Sequence, residues 1–535
     1  MSAPLPTSPE AEPRDPSPES RQTASDVAGR AGRGGVAVLA AKVFFIVSGL
    51  GQQAGLQYAL GKRDYGKLGL VFAAANIVNN VLVSGSTLGV SRAVASSRDD
   101  GPGALRSALK IHAPIAAIAA ALFALVAPLY ARFEKRPDIV GPMLVLSGVV
   151  LIYGLYAPLV GSLNGRGLFG KQAALDVLTM TLRTVGMVTC ALVFQRVSGA
   201  GVLGTALGFL AAALVVLAVA TRVTGTGREP LGAKLDGRAY LRALGPLVLA
   251  QLFVNLVMQA DIVLVGRFLV EAAQATGLRD RAASDAADAW VGVYRCCQLF
   301  AFLPYQLLLS LTLVLFPTLA AARAEGDSAS VRRYVARGAR LGAIATGALV
   351  ALVAATPEST LHFLYSADIA SEGAPVLRLL AIAQGIFGLL AIASTILASL
   401  GQERKAAAVT FLALAVSAGA CTLVVPHAAF GQPQLLAAAT AVGGALLFAL
   451  LVAAALVRRA AGAFVPWTTA ARVAVALACT VAAGSQLPAS GRMLSIVVSA
   501  VMFALYFAVL VATRELRRED LAAIAGALRR RAKRA

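Results

Sequence analysis

Between residues 34 and 513 the sequence lacks any polar stretch long enough to fold as a soluble domain; the longest, 270–289, has about twenty residues. Any chemistry must therefore take place in an apolar setting or on short loops, which excludes most enzyme classes. Charged residues make up only 14% of the chain, and there are three histidines and five cysteines. His112, His362 and His427 are far apart and form no HExxH pattern, so a catalytic metal has no ligand set. Cys190, Cys296, Cys297, Cys421 and Cys479 fall within apolar runs, without metal-ligand spacing or a loop pair for a disulfide, and read as small packing residues. Residues 1–28 hold many Pro, Ser and Glu but no apolar core, so they read as a disordered tail and not as a cleaved signal peptide. The stretch Gly165 to Gln172 matches GxGxxG and nearly a P-loop, but Gln172 replaces the required Ser or Thr and no soluble strand precedes it, so no nucleotide site is expected.

What the sequence does have is hydrophobic runs of about twenty residues, each long enough to cross about 30 Å of hydrocarbon as a helix, and 58% apolar residues overall. The expected fold class is an all-α polytopic membrane protein with about fourteen transmembrane helices. The spans read 34–55, 67–90, 111–130, 139–162, 174–195, 199–221, 241–268 and 290–316, followed by 338–356, 374–399, 405–426, 434–457, 467–487 and 493–513. Loops after even-numbered spans are rich in Arg and Lys. Those after odd-numbered spans are poorer: 357–373 has neither residue, and 271–289 has more acid than Arg. The positive-inside bias places the even loops and both termini in the cytoplasm. The net charge of +21 is largely this signal plus the basic tail Arg529 to Arg534, whose simplest partner is anionic lipid and not nucleic acid. Abundant Ala, Gly and Arg fit a high-GC bacterial genome, hence the inner membrane.

A shift of about 230 residues aligns Ala95–Asp99 with Ala320–Arg323, Leu129-Tyr130 with Leu364-Tyr365, Pro142 with Pro375, and Ser162–Gly165 with Ser399–Gly401. Biased composition can produce such matches singly; four in order predict two pseudo-symmetric six-helix lobes about an axis along the membrane normal. The expected organisation is a disordered cytoplasmic tail 1–33, an N-lobe 34–222, a linker 223–240, a C-lobe 241–457, two extra helices within 458–513, and a basic tail 514–535.

Polar residues within the spans are the candidates for function, because charge in the bilayer is costly unless paired or facing water. Lys42 and Gln53 share a stripe on span 1, Asn76 and Asn80 on span 2, and Arg295 and Gln306 on span 8; Gln251, Asn255 and Gln259 recur at steps of four on span 7. Amides in membrane helices also bond helix to helix, and Arg295, near a helix end, could snorkel, as could Arg267. Asp176 and Arg183 share one face of span 5, and Asp261 on span 7 points away from the amide stripe. A cavity lined by cations would attract an anion, and a lipid-linked phosphate or diphosphate is the anion most at home there.

Leu60-Gly61-Lys62-Arg63-Asp64-Tyr65-Gly66 is similar to the LG-x-x-x-YG signature of the polysaccharide transporter branch of the multidrug/oligosaccharidyl-lipid/polysaccharide (MOP) exporter superfamily. Asp261 to Leu264, Val291 to Tyr294, Leu315 to Pro317 and Leu400 to Glu403 resemble further family landmarks in order, so the resemblance covers about residues 30–430. It implies a MATE-like flippase, not an enzyme, that moves undecaprenyl-diphosphate-linked oligosaccharide by alternating access for O-antigen, lipopolysaccharide or exopolysaccharide synthesis. Helices 1, 2, 7 and 8 would line its cavity. The substrate-binding candidates are Lys42, Gln53, Asn76, Asn80, Asn255, Gln259, Arg295 and Gln306, with the diphosphate at Lys42 or Arg295. No cofactor is expected; Asp261 is the candidate for a coupling ion, H+ or Na+. Glycan polymerase and glycosyltransferases of the same pathway would be partners. The alternatives are a lipid II flippase and a multidrug/cation antiporter of the same superfamily, and the segment 270–289 is longer than the family usually has.

Overall fold

The computed structural model describes residues 18–97, 101–225, 236–306, 308, 319, 322–323, 325–487 and 492–516; within these, the side chains of 18–43, 45–46, 101, 243, 247 and 492–493 are not described. The described residues are almost all helical and contain no strand. That is the expected solution for apolar sequence in lipid, where each backbone N–H and C=O must be satisfied within its own segment.

Helix α1, Pro18–Ser96, takes in residues 18–33, which composition assigns to a disordered tail; Pro18 at its start has a backbone preset for a first helical turn. Its membrane portion, Val47–Ser96, has 50 residues, about 75 Å at 1.5 Å per residue and over twice the hydrocarbon thickness. The chain resolves this at Gly61, whose φ of 72° and ψ of 175° only glycine adopts readily, so two arms meet there and cross separately. The N-lobe is completed by α2 (Gly101–Phe133), α3 (Val140–Gly165), α4 (Phe169–Ser198) and α5 (Gly201–Thr224). The C-lobe holds α6 (Gly237–Ala275), α7 (Asp280–Ala301), α8 (Ser328–Ala354), the short α9 (Pro357–Leu364), α10 (Ala367–Ser399), α11 (Glu403–Val424) and α12 (Gln432–Ala461); α13 (Trp467–Ser485) and α14 (Arg492–Ala512) follow. Among the described residues, twelve helices are long and apolar enough to span. Counting both arms of α1 and the more polar α7 gives the expected fourteen passes.

The packing repeats between lobes. The first arm of α1 packs on α4 as α6 packs on α11, and the second arm on α3 as α7 on α10; α2 on α3, α3 on α5 and α4 on α5 correspond to α8 on α10, α10 on α12 and α11 on α12. The two extra helices lie against α8, where Tyr506 donates to the carbonyl of Ile344 at 3.1 Å.

One expectation is overturned. The segment 270–289 is not an extended loop: α6 runs on to Ala275 and α7 begins at Asp280, leaving a turn of four residues. Glu271, Asp285 and Asp288 are helical and form ion pairs with the N-lobe. The Gly165–Gln172 stretch is a tight turn between α3 and α4, with Gly167 at φ 70° and Arg166 donating to the carbonyl of Thr224 at 3.1 Å.

Candidate functional site

A cavity of about 160 Å³ opens between both arms of α1, α3, α4, α5 and α7. Its polar wall is made by Gln52, Gln53, Asn76, Asn79, Asn80, Arg183 and Arg295; its apolar wall includes Phe72, Leu146 and Phe209. Among the described residues no carboxylate lines it, so the field they create is that of two guanidiniums. Arg183 Nε donates to Gln52 Oε1 at 3.1 Å and its guanidinium stands 5.7 Å over the Phe209 ring. Arg295 Nη1 donates to Gln298 Oε1 at 3.2 Å. Asn79 Oδ1 is buried without a hydrogen-bond partner among the described residues, which leaves an acceptor open toward the cavity.

The LG-x-x-x-YG residues build one wall and the adjoining closure. Gly61 makes the turn, which brings the Tyr65 hydroxyl back to Gln53 Oε1 at 2.9 Å and so orients that amide into the cavity. Gly66 then crosses α7: a Cβ there would lie 1.9 Å from the Asp288 carbonyl oxygen, and one on Gly292 would lie 2.1 Å from that of Lys62. Only glycine at both positions allows the lobes to approach this closely.

The expected site residues separate into three groups. Gln53, Asn76, Asn80 and Arg295 meet at the cavity. Asn255 lies at its margin and accepts from Asn80 Nδ2 at 2.9 Å, a bond between the lobes, while Gln259 is buried outside the cavity wall and Gln306 is exposed and away from it. Among the described residues none of α6 lines the cavity, and the described wall lies largely in the N-lobe, with Arg295 of α7 from the C-lobe. The side chain of Lys42 lies outside the described residues. Asp261 is enclosed: Tyr294 donates to it at 2.8 Å, Gln298 at 3.1 Å and the amide of Ile262 at 2.8 Å. Arg267 points toward the end of its helix, bonding the Phe133 carbonyl at 2.8 Å and Glu271 at 2.6 Å, away from the cavity. Asp176 is half-buried near Tyr156 and is not part of the cavity.

Sequence reasoning set Arg183 apart from the substrate site and did not single out Gln52 and Asn79. The doubled amides Gln52-Gln53 and Asn79-Asn80 were the available signal. Also unanticipated is a layer of ion pairs at the end of the bundle that holds the Gly61 turn. Lys62 bonds Glu372, Arg63 bonds Asp285 at 2.9 Å, and Lys67 bonds Asp138 at 2.5 Å with Asp285 at 3.5 Å. Arg136, fully buried in the α2–α3 connection, bonds Asp288 of α7 at 2.5 Å, Glu134 at 3.1 Å and the Gly266 carbonyl of α6 at 3.2 Å. Toward the opposite end, His112 links Ser86 at 3.0 Å to the Tyr240 hydroxyl of α6 at 2.8 Å.

A family model described as polysaccharide biosynthesis protein matches residues 59–372, more than half of the chain. The chain belongs to this family. Among solved structures, its fold is similar to that of the lipid II flippase MurJ in an inward closed conformation, with a TM-score of 0.67 at 11% identity over 89% of this chain and 98% of that one. It is also similar to an inward-facing multidrug resistance MATE family transporter of the MOP superfamily, with a TM-score of 0.56 at 17% identity over 77% and 93%. A Pyrococcus furiosus MOP superfamily transporter, described as having a binding pocket of reverse polarity, gives 0.56 at 16% over 80% and 95%. No curated protein sequence matches significantly. This polysaccharide biosynthesis protein is a multi-pass membrane protein whose fold is shared with that flippase and those transporters.

Proposed function

We propose that this protein is a flippase that carries an undecaprenyl-diphosphate-linked oligosaccharide from the cytoplasmic to the periplasmic leaflet of the bacterial inner membrane, by alternating access, for surface polysaccharide biosynthesis. The observation that carries this reading is the cavity wall, which among the described residues has two guanidiniums, five amides and no carboxylate. Guanidiniums pair with phosphate oxygens through parallel hydrogen bonds, so Arg183 and Arg295 would hold the diphosphate. The amides, which donate and accept, suit sugar hydroxyls, while the polyprenyl chain remains in the bilayer. At about 160 Å³ the cavity is smaller than the roughly 300–1,000 Å³ that encloses a drug-sized ligand. Loading therefore requires the lobes to part.

In this reading the basic even loops and both termini are cytoplasmic and the Gly61 end faces the periplasm. The periplasmic cations Lys62, Arg63 and Lys67 run against the positive-inside bias, but each is paired with an acid. A lipid II flippase would meet the same diphosphate; the family match at 59–372 favours a surface polysaccharide cargo. A cation antiporter fits poorly with a cavity that has two arginines and no acid. A coupling ion at Asp261, H+ or Na+, would have to compete with Tyr294 and Gln298 for its oxygens.

The test is deletion of the gene followed by mass spectrometry of lipid-linked glycans and assay of surface polysaccharide. Lipid-linked oligosaccharide should accumulate as surface glycan disappears. Complementation with Arg183→Ala or Arg295→Ala should restore about tenfold less glycan than wild type, the factor set by one lost charge-assisted bond of about 1.5 kcal/mol. Unchanged lipid-linked pools with normal surface glycan would reject the reading.

A further inference from the structure

The ion-pair layer at the Gly61 end has an imbalance at its centre. Arg136, with no exposed surface, lies between two carboxylates that also have none, Glu134 and Asp288. One guanidinium cannot neutralise both. Asp288 has the better share, taking Arg136 Nε at 2.5 Å with Lys67 Nζ 3.9 Å from its other oxygen. Glu134 Oε2 has only Nη1, which is divided among that oxygen and the carbonyls of Glu134 and Gly266. Glu134 Oε1 is buried without a hydrogen-bond partner among the described residues; the neighbouring Tyr130 hydroxyl, close enough to favour the charged carboxylate, donates to the carbonyl of Leu70 at 3.1 Å.

The other charged groups around Glu134 do not correct this. From α6, Arg267 approaches but is committed to Glu271 and the Phe133 carbonyl. From α7, Asp288 adds negative charge; from α1, Lys67 is shared among Asp138, Asp285 and Asp288. Burying an uncompensated carboxylate costs several kcal/mol, and taking up a proton is the usual relief. Burial accordingly pushes Glu134 up to about 8 against the opposing pull of Arg136.

We propose that Glu134 is a proton-binding site of the gate at the Gly61 end: closing the lobes there takes a proton from the adjacent water onto Glu134 Oε1, and parting them returns it. The reacting bond is one carboxyl O–H, formed from hydronium on closure and broken to water on opening. The pairs that couple this site to the lobes are Arg136 with Asp288 and Arg136 with the Gly266 carbonyl, since Arg136 belongs to the N-lobe and both partners to the C-lobe. A group protonated more tightly when closed favours closure at low pH and opposes it as pH rises through its closed-state value.

This inference rests on the alternating-access reading, and a conformational readout without cargo separates the two. Spin labels on Val197→Cys of α4 and Leu423→Cys of α11, both exposed near the Gly61 end, would report lobe separation in the full-length protein with Cys190 and Cys479 replaced by Ser. From about pH 6 to about pH 9 the closed-to-open ratio of the wild-type gate should fall by tenfold or more. Glu134→Gln, permanently neutral, should stay closed across that range. Asp288→Asn frees Arg136 for Glu134 and should move the midpoint to lower pH while weakening closure. A wild-type ratio independent of pH with both separations populated, or Glu134→Gln with the full pH response, would overturn the proton site. A single separation under every condition would instead overturn alternating access, and the proton site with it.

Discussion

Gly66 and Gly292 decide how closely the two lobes meet, because each would place a Cβ about 2 Å from a backbone carbonyl of the other arm. Backbone cannot rotate away as a side chain can, so the strain of Gly66→Ala or Gly292→Ala should fall on the lobe interface and cost the closed state about 1–3 kcal/mol. The expected outcome is a longer Val197–Leu423 label distance at every pH; an unchanged distance would show that the crossing is not what limits closure. At this scale the sequence revealed the signature but not its parts. Gly61 as a turn, Tyr65 as a positioner of Gln53 and Gly66 as a crossing point all depend on groups that meet only in three dimensions. Arg183 was legible as a charge in a span, yet its placement on the cavity depends on α4 facing the first arm of α1 through Gln52. The ion-pair layer was least legible: Lys62 and Glu372 are 310 residues apart, and no periodicity connects them.

At the scale of elements, apolar length was a reliable guide and polarity was not. The spans that match α2 to α6, α8 and α10 to α14 are written in continuous hydrophobic runs, which lipid requires of every exposed face. Residues 270–289 looked like a loop because Glu271, Asp280, Asp285 and Asp288 interrupt the pattern, whereas all four are helical and three of them form ion pairs: Glu271 with Lys135, Asp285 with Arg63 and Lys67, and Asp288 with Arg136. Glu515 is a second case. It falls in what reads as a basic tail, but it is buried and accepts from Arg340 of α8 at 2.7 Å and from Thr469 and Arg472 of α13 at 2.8 and 3.0 Å. Burial pushes its carboxyl up, but these donors outweigh that and hold it below the ordinary value. Its contribution is therefore present above the usual carboxylate range and lost as pH falls through the lowered value. Glu515→Ala, which strands Arg340 and Arg472, should release α13 and α14 from α8 at a cost of about 3 kcal/mol. Limited proteolysis between α12 and α13 would detect this, and unchanged protection would contradict it.

At the scale of the whole molecule, the repeated packing of six helices on six makes a two-lobed body whose polar groups concentrate between the lobes. The repeat was visible in the sequence because turn residues such as Tyr130 and Tyr365 recur at matching helix ends, although the cavity's displacement toward the N-lobe was not. The lobes are joined by ion pairs at one end, by Asn80 and Asn255 midway, and by His112 and Tyr240 toward the other end. None of these bonds is covalent, so exchanging one set for another can reopen the cavity on either side. The central claim is tested most directly with purified protein in liposomes containing a fluorescent undecaprenyl-diphosphate oligosaccharide, by following its exposure to a membrane-impermeant quencher. The account predicts translocation that is slowed about tenfold or more by Arg183→Ala or Arg295→Ala. No translocation above protein-free vesicles, or the wild-type rate in both arginine variants, would contradict it.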